Sequence, residues 1–181
     1  DGLDDEIKEL SLTEDKESIL HADYLTTVSP TLSTALKSDY KLKEKPTVLY
    51  NAPNRSDLNL DYDLTIRKKL NLSANVDLGV YIGGISELRG LHTLIEAMPL
   101  LSKLHIALVT ETKGKYVDSL VESAKELGCY DRLHILPYVD STEITSFIQD
   151  ATFGIHPMIR YGNAEVALPN KLFDYIHAKI P

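Results

Sequence analysis

Lys171 and Asp174 stand just beyond the Pro169–Asn170 step, in the stretch YGNAEVALPNKLFDYIHAKIP near the end of the chain. Proline fits the first position of a helix, where its missing N–H has no intrahelical partner to lose. The N-terminus of that helix presents unbonded N–H groups and a partial positive charge. Lys171 adds a full charge beside them, and together they suit a phosphate. Asp174, one turn further on, is placed to accept hydrogen bonds from hydroxyls such as those of a ribose. A polar turn holding Asn163 and Glu165 leads into the helix through the apolar step Val166–Ala167–Leu168. A phosphate-binding backbone, a lysine and a hydroxyl-reading carboxylate describe a site for a nucleotide or a nucleotide-sugar.

The elements that must position these residues follow from the hydrophobic pattern. LGVYIG, from Leu78, reads as an apolar strand running into Gly83–Gly84. Leu91, Leu94, Ile95 and Met98 then fall at helical spacing. LHIALV is a strand buried on both faces, since its apolar run is continuous. Val117, Leu120, Val121, Ala124 and Leu127 line a second helix that stops at Gly128. Arg132–Pro137 is a third strand. Asp140 and Glu143 are spaced as a variant of the capping box before Ile144, Phe147 and Ile148. Ala151–His156 is a fourth strand. This alternation predicts an α/β fold: a Rossmann-like parallel sheet with helices on both faces.

Earlier in the chain, Asp1–Ser18 is acidic and reads as a short helix or frayed end. Tyr24–Val28 and Thr47–Tyr50 read as strands. Ser29–Pro30 opens a helix that reaches about Tyr40, with the hydroxyl as cap. KLKEKP marks a boundary. Residues 1–45 are therefore taken as the end of one domain with its linker, and 46–181 as a second, incomplete domain. The chain starts at Asp1 and stops at Pro181 directly after an apolar helix. Both ends are expected to be cuts in a longer protein.

Ligands of open parallel sheets bind outside the carboxyl ends of the strands, and four loops lie there. In GGISELRG the glycines Gly83 and Gly84 allow close backbone approach, and Arg89 brings a cation to a helix start. The spacing is not GxGxxG. Thr110–Gly114 is a polar turn. Pro137–Asp140 offers Tyr138 to a base. Pro157–Pro169, with Arg160, is longer than such a connection needs. Plainer readings suit other residues: Asp140 as a helix cap, His156 as a satisfied edge histidine, Cys129 as structural. The spacing assembles no Ser/His/Asp or Cys/His triad.

The 181 residues carry a formal net charge of −8, which argues against a nucleic-acid partner. A single cysteine and six scattered histidines give no disulfide and no metal-ligand spacing. No run spans a bilayer and no signal peptide is apparent, in keeping with a cytoplasmic protein.

With those elements placed, GNAEVALPNKLFDYIHAKIP resembles the donor-site signature of GT-B glycosyltransferases of the retaining group 1 type. Glu165, Leu168–Pro169 and Asp174 match its acid, Leu-Pro step and second acid. YIGGISELRGLHTLIEA resembles the family's first strand, glycine turn and basic-Gly helix start. ADYLTTVSPTLSTAL resembles the end of the N-terminal domain, VLYNAPN the entry to the C-terminal domain, and LHILPYVDSTEITSFIQDATFGIHP the segment with the base-binding loop. The likeness runs from about Leu20 to Pro181. Two departures stand out. Gly84 or Ile85 occupies the place of the arginine that usually follows the first glycine. Eight residues rather than seven separate Glu165 from Asp174, and the second acid is Asp rather than Glu.

The resemblance implies a C-terminal donor-binding domain and catalytic roles for Glu165 and Asp174. Asp174 would bind the ribose, and Glu165 would face the donor sugar. Gly83, Gly84, Arg89, Tyr138, Asn163, Leu168, Pro169, Asn170 and Lys171 would bind the rest of the donor, a UDP- or GDP-sugar. Arg89, Lys171 and helix N-termini would replace a metal ion at the departing diphosphate, so no cofactor is expected. The acceptor, a glycan or lipid-linked sugar, would attack the face the leaving group vacates, with retention and no protein nucleophile. A parent acting on lipid-linked sugars would sit peripherally at the inner face of the membrane, and the chain alone is expected to be inactive. The rival readings are a non-catalytic Rossmann-like binding module and a nucleotide-sugar 2-epimerase-like enzyme. The lack of GxGxxG disfavours a dinucleotide oxidoreductase.

Overall fold

Two apolar runs set the architecture. Asp77–Ile82 (β3) and Leu104–Val109 (β4) pair in parallel along their whole length, and nearly every residue of both is buried. Strands covered on both faces read as unbroken apolar sequence, which is why these two were legible. The computed structural model describes residues 15–54, 58–59, 63–160 and 162–181. It groups the chain into two compact units: Asp1–Asn51 with Glu165–Leu168, and Ala52–Ala164 with Pro169–Pro181.

In the first unit, residues 15–21 are helical. The rest of the acidic stretch, residues 1–14, lies outside the described residues. Thr26–Thr27 (β1) pairs in parallel with Thr47–Val48 (β2). Both strands are shorter than expected, because their ladder extends over only these residues. Between them, Pro30–Asp39 (α1) starts as the sequence predicts. The Ser29 hydroxyl accepts from the Leu32 N–H at 3.1 Å with Pro30 in the first turn. The same hydroxyl donates to the Val166 carbonyl at 2.8 Å. Ser33, almost fully buried, donates to the Pro46 carbonyl at 2.7 Å.

The second unit holds the site. After Ile66–Leu70 (α2) and β3 come Leu91–Ala97 (α3), β4, Lys115–Glu126 (α4), Leu133–Leu136 (β5), Ile144–Ile148 (α5), Phe153–Gly154 (β6) and Asn170–Ala178 (α6). The sheet is wholly parallel in the order β5-β4-β3-β6. Alternation along the strands divides the core. Leu78, Val80 and Ile82 pack with Phe147, Ile148 and Tyr175 of α5 and α6. Tyr81, Ile106 and Leu108 pack with Leu91, Ile95 and Leu120 of α3 and α4. Helices therefore cover both faces.

Three local expectations change. The fourth strand is not Ala151–His156 but Phe153–Gly154, paired only to Gly79 and Val80. Pro169 is the N-cap rather than the first helical residue, with extended backbone at φ −71° and ψ 134°. Asp140 does not form a capping box with Glu143. Its carboxylate accepts from the Thr142 N–H and hydroxyl at 2.8 and 2.7 Å, and these bonds hold its pKa below the usual range.

The strand order carries the functional consequence. β3 leads to β4 on one side and has β6 on the other, so the connections diverge at β3. Open α/β sheets bind ligands at such a switch point. Pairing of β3 and β6 stops early, and Tyr175 fills the gap. Its hydroxyl reaches the Val80 carbonyl at 3.2 Å and the Ile155 carbonyl at 3.0 Å. Gly154 lies against its ring, where a Cβ would have no room.

Candidate functional site

A crevice of about 430 Å³ opens at the carboxyl edge of the sheet. Gly83 and Gly84 after β3, Tyr138 after β5, and Pro169, Asn170, Lys171 and Asp174 from the start of α6 line it, with Arg89. The structure thus brings eight of the sequence-predicted residues together. Ile82, Val109, Val139, Ser141 and Ile144 complete the wall. The strand-end rule could have found Ser141, which follows Asp140 in a loop already singled out. Glu165 and Leu168 group with the first unit and are not among the lining residues. Asn163 lies in a 3-10 turn, Gly162–Glu165; its side chain, like Tyr161, lies outside the described residues.

Each wall has a local cause. The Gly83 N–H donates to the Val109 carbonyl at 3.1 Å, which extends the ladder one residue into the turn. Gly83 then takes φ +107°, a backbone state that side chains disfavour. A Cβ there would lie 3.9 Å from the Lys171 ammonium, so the bare turn borders the lysine directly. Gly84 faces the Tyr138 hydroxyl, 3.8 Å from where its Cβ would stand. Tyr138 is half exposed and presents its ring to the crevice.

Arg89 ends a short 3-10 turn, Glu87–Arg89. Gly90 follows at φ +70°, and a Cβ there would run into the Pro157 carbonyl. The contact is matched by a hydrogen bond from the Ile159 N–H to the Leu88 carbonyl at 3.2 Å. The Arg89 guanidinium lies 3.9 Å from the Met158 sulfur. The loop after β6 therefore packs onto the turn that carries Arg89.

The charges are close enough to shape one another. Burial, then the neighbouring Arg89, pushes the Lys171 pKa down to about 7, with Asp174 opposing. Burial raises Asp174, while His177 and Lys171 pull it back. His156 is lowered by burial, then by Lys171 and Arg89. It is thus a neighbour of the cationic corner, two residues beyond the end of β6 rather than at a strand edge. A corner with two cations and one carboxylate is matched to an anion with adjacent hydroxyls. Among the described residues no group of three His, Cys, Asp or Glu side chains could hold a metal ion. No helix among them is long and apolar enough to cross a membrane.

The chain is similar to several known proteins. The family model described as "Glycosyl transferases group 1" matches residues 63–168. An uncharacterized glycosyltransferase of Methanocaldococcus jannaschii is 24% identical over 81% of this chain and 41% of its own length. Sucrose-phosphate synthase from Thermosynechococcus elongatus superimposes with a TM-score of 0.66 at 20% identity, over 83% of this chain and 38% of that one. Anabaena HepE, solved in complex with UDP and glucose, gives 0.67 at 19% identity, over 91% and 44%. At these identities the structural likeness shows the fold, the α/β sheet domain of GT-B glycosyltransferases. The chain spans about two fifths of the length of these relatives.

Proposed function

The chain belongs to the group 1 glycosyl transferases, and from that premise we propose that its sheet unit holds the nucleotide-sugar donor of a glycosyl transfer. One observation carries the reading: Lys171, Arg89 and Asp174 converge with the start of α6 on one crevice at the switch point of the sheet. The two cations and the helix N–H groups take the diphosphate. Asp174 accepts from the ribose hydroxyls, and Tyr138 packs on the base. As the glycosidic bond breaks, negative charge grows on the leaving diphosphate. Fixed cations aimed at that charge stabilise the transition state more than the ground state. The acceptor, a glycan or a lipid-linked sugar, attacks from the same face, and configuration is retained. HepE, solved with UDP and glucose, supports a uridine nucleotide as the first probe.

Ligand-detected NMR of the chain with UDP, GDP, ADP and UDP-glucose tests this. One nucleotide is expected to give a signal that Asp174→Ala abolishes. Silence with every nucleotide would remove the donor reading and leave a binding module of another kind.

Binding should also depend on pH. Free Lys171 loses its proton near 7, whereas the bound diphosphate stabilises the ammonium and raises that value. Above about 7, binding therefore takes up a proton, and the Kd for UDP-glucose rises about tenfold per pH unit. Below it the Kd levels off. Isothermal titration between pH 6 and 8.5 in buffers of different ionisation heat measures both the slope and the proton uptake. A flat Kd would show that Lys171 does not bind the diphosphate as its ammonium.

A further inference from the structure

Tyr81 is the penultimate residue of β3 and has no exposed surface. Its face of the sheet packs against Leu91, Ile95 and Leu120, and by pattern alone it is one more core residue. Its contacts at the crevice edge are more specific. The Lys171 ammonium stands 3.5 Å from the centroid of its ring. Its hydroxyl donates to the Gly84 carbonyl at 2.6 Å.

We propose that Tyr81 is a positioning residue for the donor diphosphate: its ring holds the Lys171 ammonium while its hydroxyl holds the glycine turn. The claim about the phosphate rests on the donor reading above; the claim about the lysine does not. A buried ammonium needs a partner. Among the described residues no carboxylate lies within ion-pair distance of Lys171. The π face serves instead, well inside the range at which such contacts act. The choice matters chemically. A carboxylate partner would neutralise the lysine and compete with an incoming phosphate, whereas a ring supports the cation from one side and leaves its charge to the ligand.

The hydroxyl does separate work. It draws the Gly84 carbonyl toward the protein interior. A trans peptide points its N–H opposite its C=O, so the Ile85 N–H is turned away from the ring. Gly83 lies alongside the Lys171 side chain, whose ammonium is 3.9 Å from the Cβ position of the turn. One buried side chain thus sets the relation between the lysine from α6 and the backbone after β3. These two elements are distant in sequence and both line the crevice.

The test compares Tyr81→Phe with Tyr81→Leu. The first keeps the ring and removes the hydroxyl; the second removes both. Two readouts are taken on the whole chain: the titration of Lys171 by NMR without ligand, assigned with Lys171→Met, and the Kd for UDP-glucose. In Tyr81→Phe the Lys171 titration is expected to stay in place and the Kd to rise about fivefold, the size of one neutral hydrogen bond. In Tyr81→Leu the Lys171 pKa is expected to fall by about one unit, since the ring favours only the charged form, and the Kd to rise further. A protein damaged only in its packing would not shift this one titration selectively. If Tyr81→Leu does not fold, Tyr81→Met keeps bulk without a π face and serves in its place. An unchanged Lys171 titration in the ringless variant overturns the proposal. So does equal loss of UDP-glucose affinity in the Phe and ringless variants. If the parent chain binds no UDP-glucose, the donor reading fails alone, and the titration still decides the pairing of ring and lysine.

Discussion

Replacing Lys171 with methionine is expected to raise the Kd for UDP-glucose by about 100-fold, the upper range for a charge-assisted contact with a phosphate. Methionine keeps the length and apolar stem, so the change isolates the charge. The same substitution should make the free protein more resistant to unfolding near neutral pH. Burial and Arg89 depress the pKa of Lys171 in the folded state to about 7. Below that pH folded and unfolded chains both hold the proton, and the folded chain carries the cost of burying it. Between about 7 and the ordinary lysine value the unfolded chain binds the extra proton, so wild-type stability rises with pH across that window. Lys171→Met should flatten that rise while weakening ligand binding. Urea titrations at pH 6.5 and 9, beside binding isotherms, give both quantities. Weaker binding with weaker folding at both pH values would instead mean general damage.

Gly90→Ala is the substitution expected to cost most in stability. Gly90 sits at φ +70°, and its absent Cβ would point into the Pro157 carbonyl. A backbone oxygen cannot rotate aside as a side chain can. Either the first turn of α3 or the loop at Pro157–Ile159 must move, and the Ile159 to Leu88 hydrogen bond stretches in both cases. Backbone strain adds about 1 kcal/mol and overpacking about 1–3 kcal/mol. A total of about 3 kcal/mol lowers the Tm by roughly 6–12 °C for a chain of this size. Gly128→Ala supplies the control. Gly128 has φ +65° with nothing near the Cβ position, so only the strain remains. A Gly90→Ala loss no larger than that of Gly128→Ala in thermal unfolding would show that the Pro157 contact yields easily.

These residues also mark how far the sequence could be read. β3 and β4 were plain because burial on both faces leaves an unbroken apolar run. Lys171 and Asp174 were plain because helix-start chemistry is local. Gly90 was visible as part of a basic-Gly step, but its reason, the Pro157 carbonyl, lies far along the chain. The extent of β6 was misjudged because composition does not mark where in Ala151–His156 a strand ends. How many of its residues join the ladder depends on where β3 stops pairing and Tyr175 takes over. Tyr81 was hidden for a related reason. A tyrosine in an apolar strand reads as core, and it is core; nothing in the pattern reports which cation reaches its ring. The resemblance to the family linked Glu165 with Asp174; in the structure Glu165 groups with the first unit and Asp174 with the second.

The Tyr175 hydroxyl bound to carbonyls of β3 and of the segment after β6 has one more consequence. It nails α6 to the two diverging strands less than two turns from its first residue. The direction in which the opening N–H groups of α6 point is therefore settled by the core, before any anion arrives. A site aimed in advance loses little conformational entropy on binding. Its association rate is then set by diffusion and charge rather than by waiting for a rare open shape.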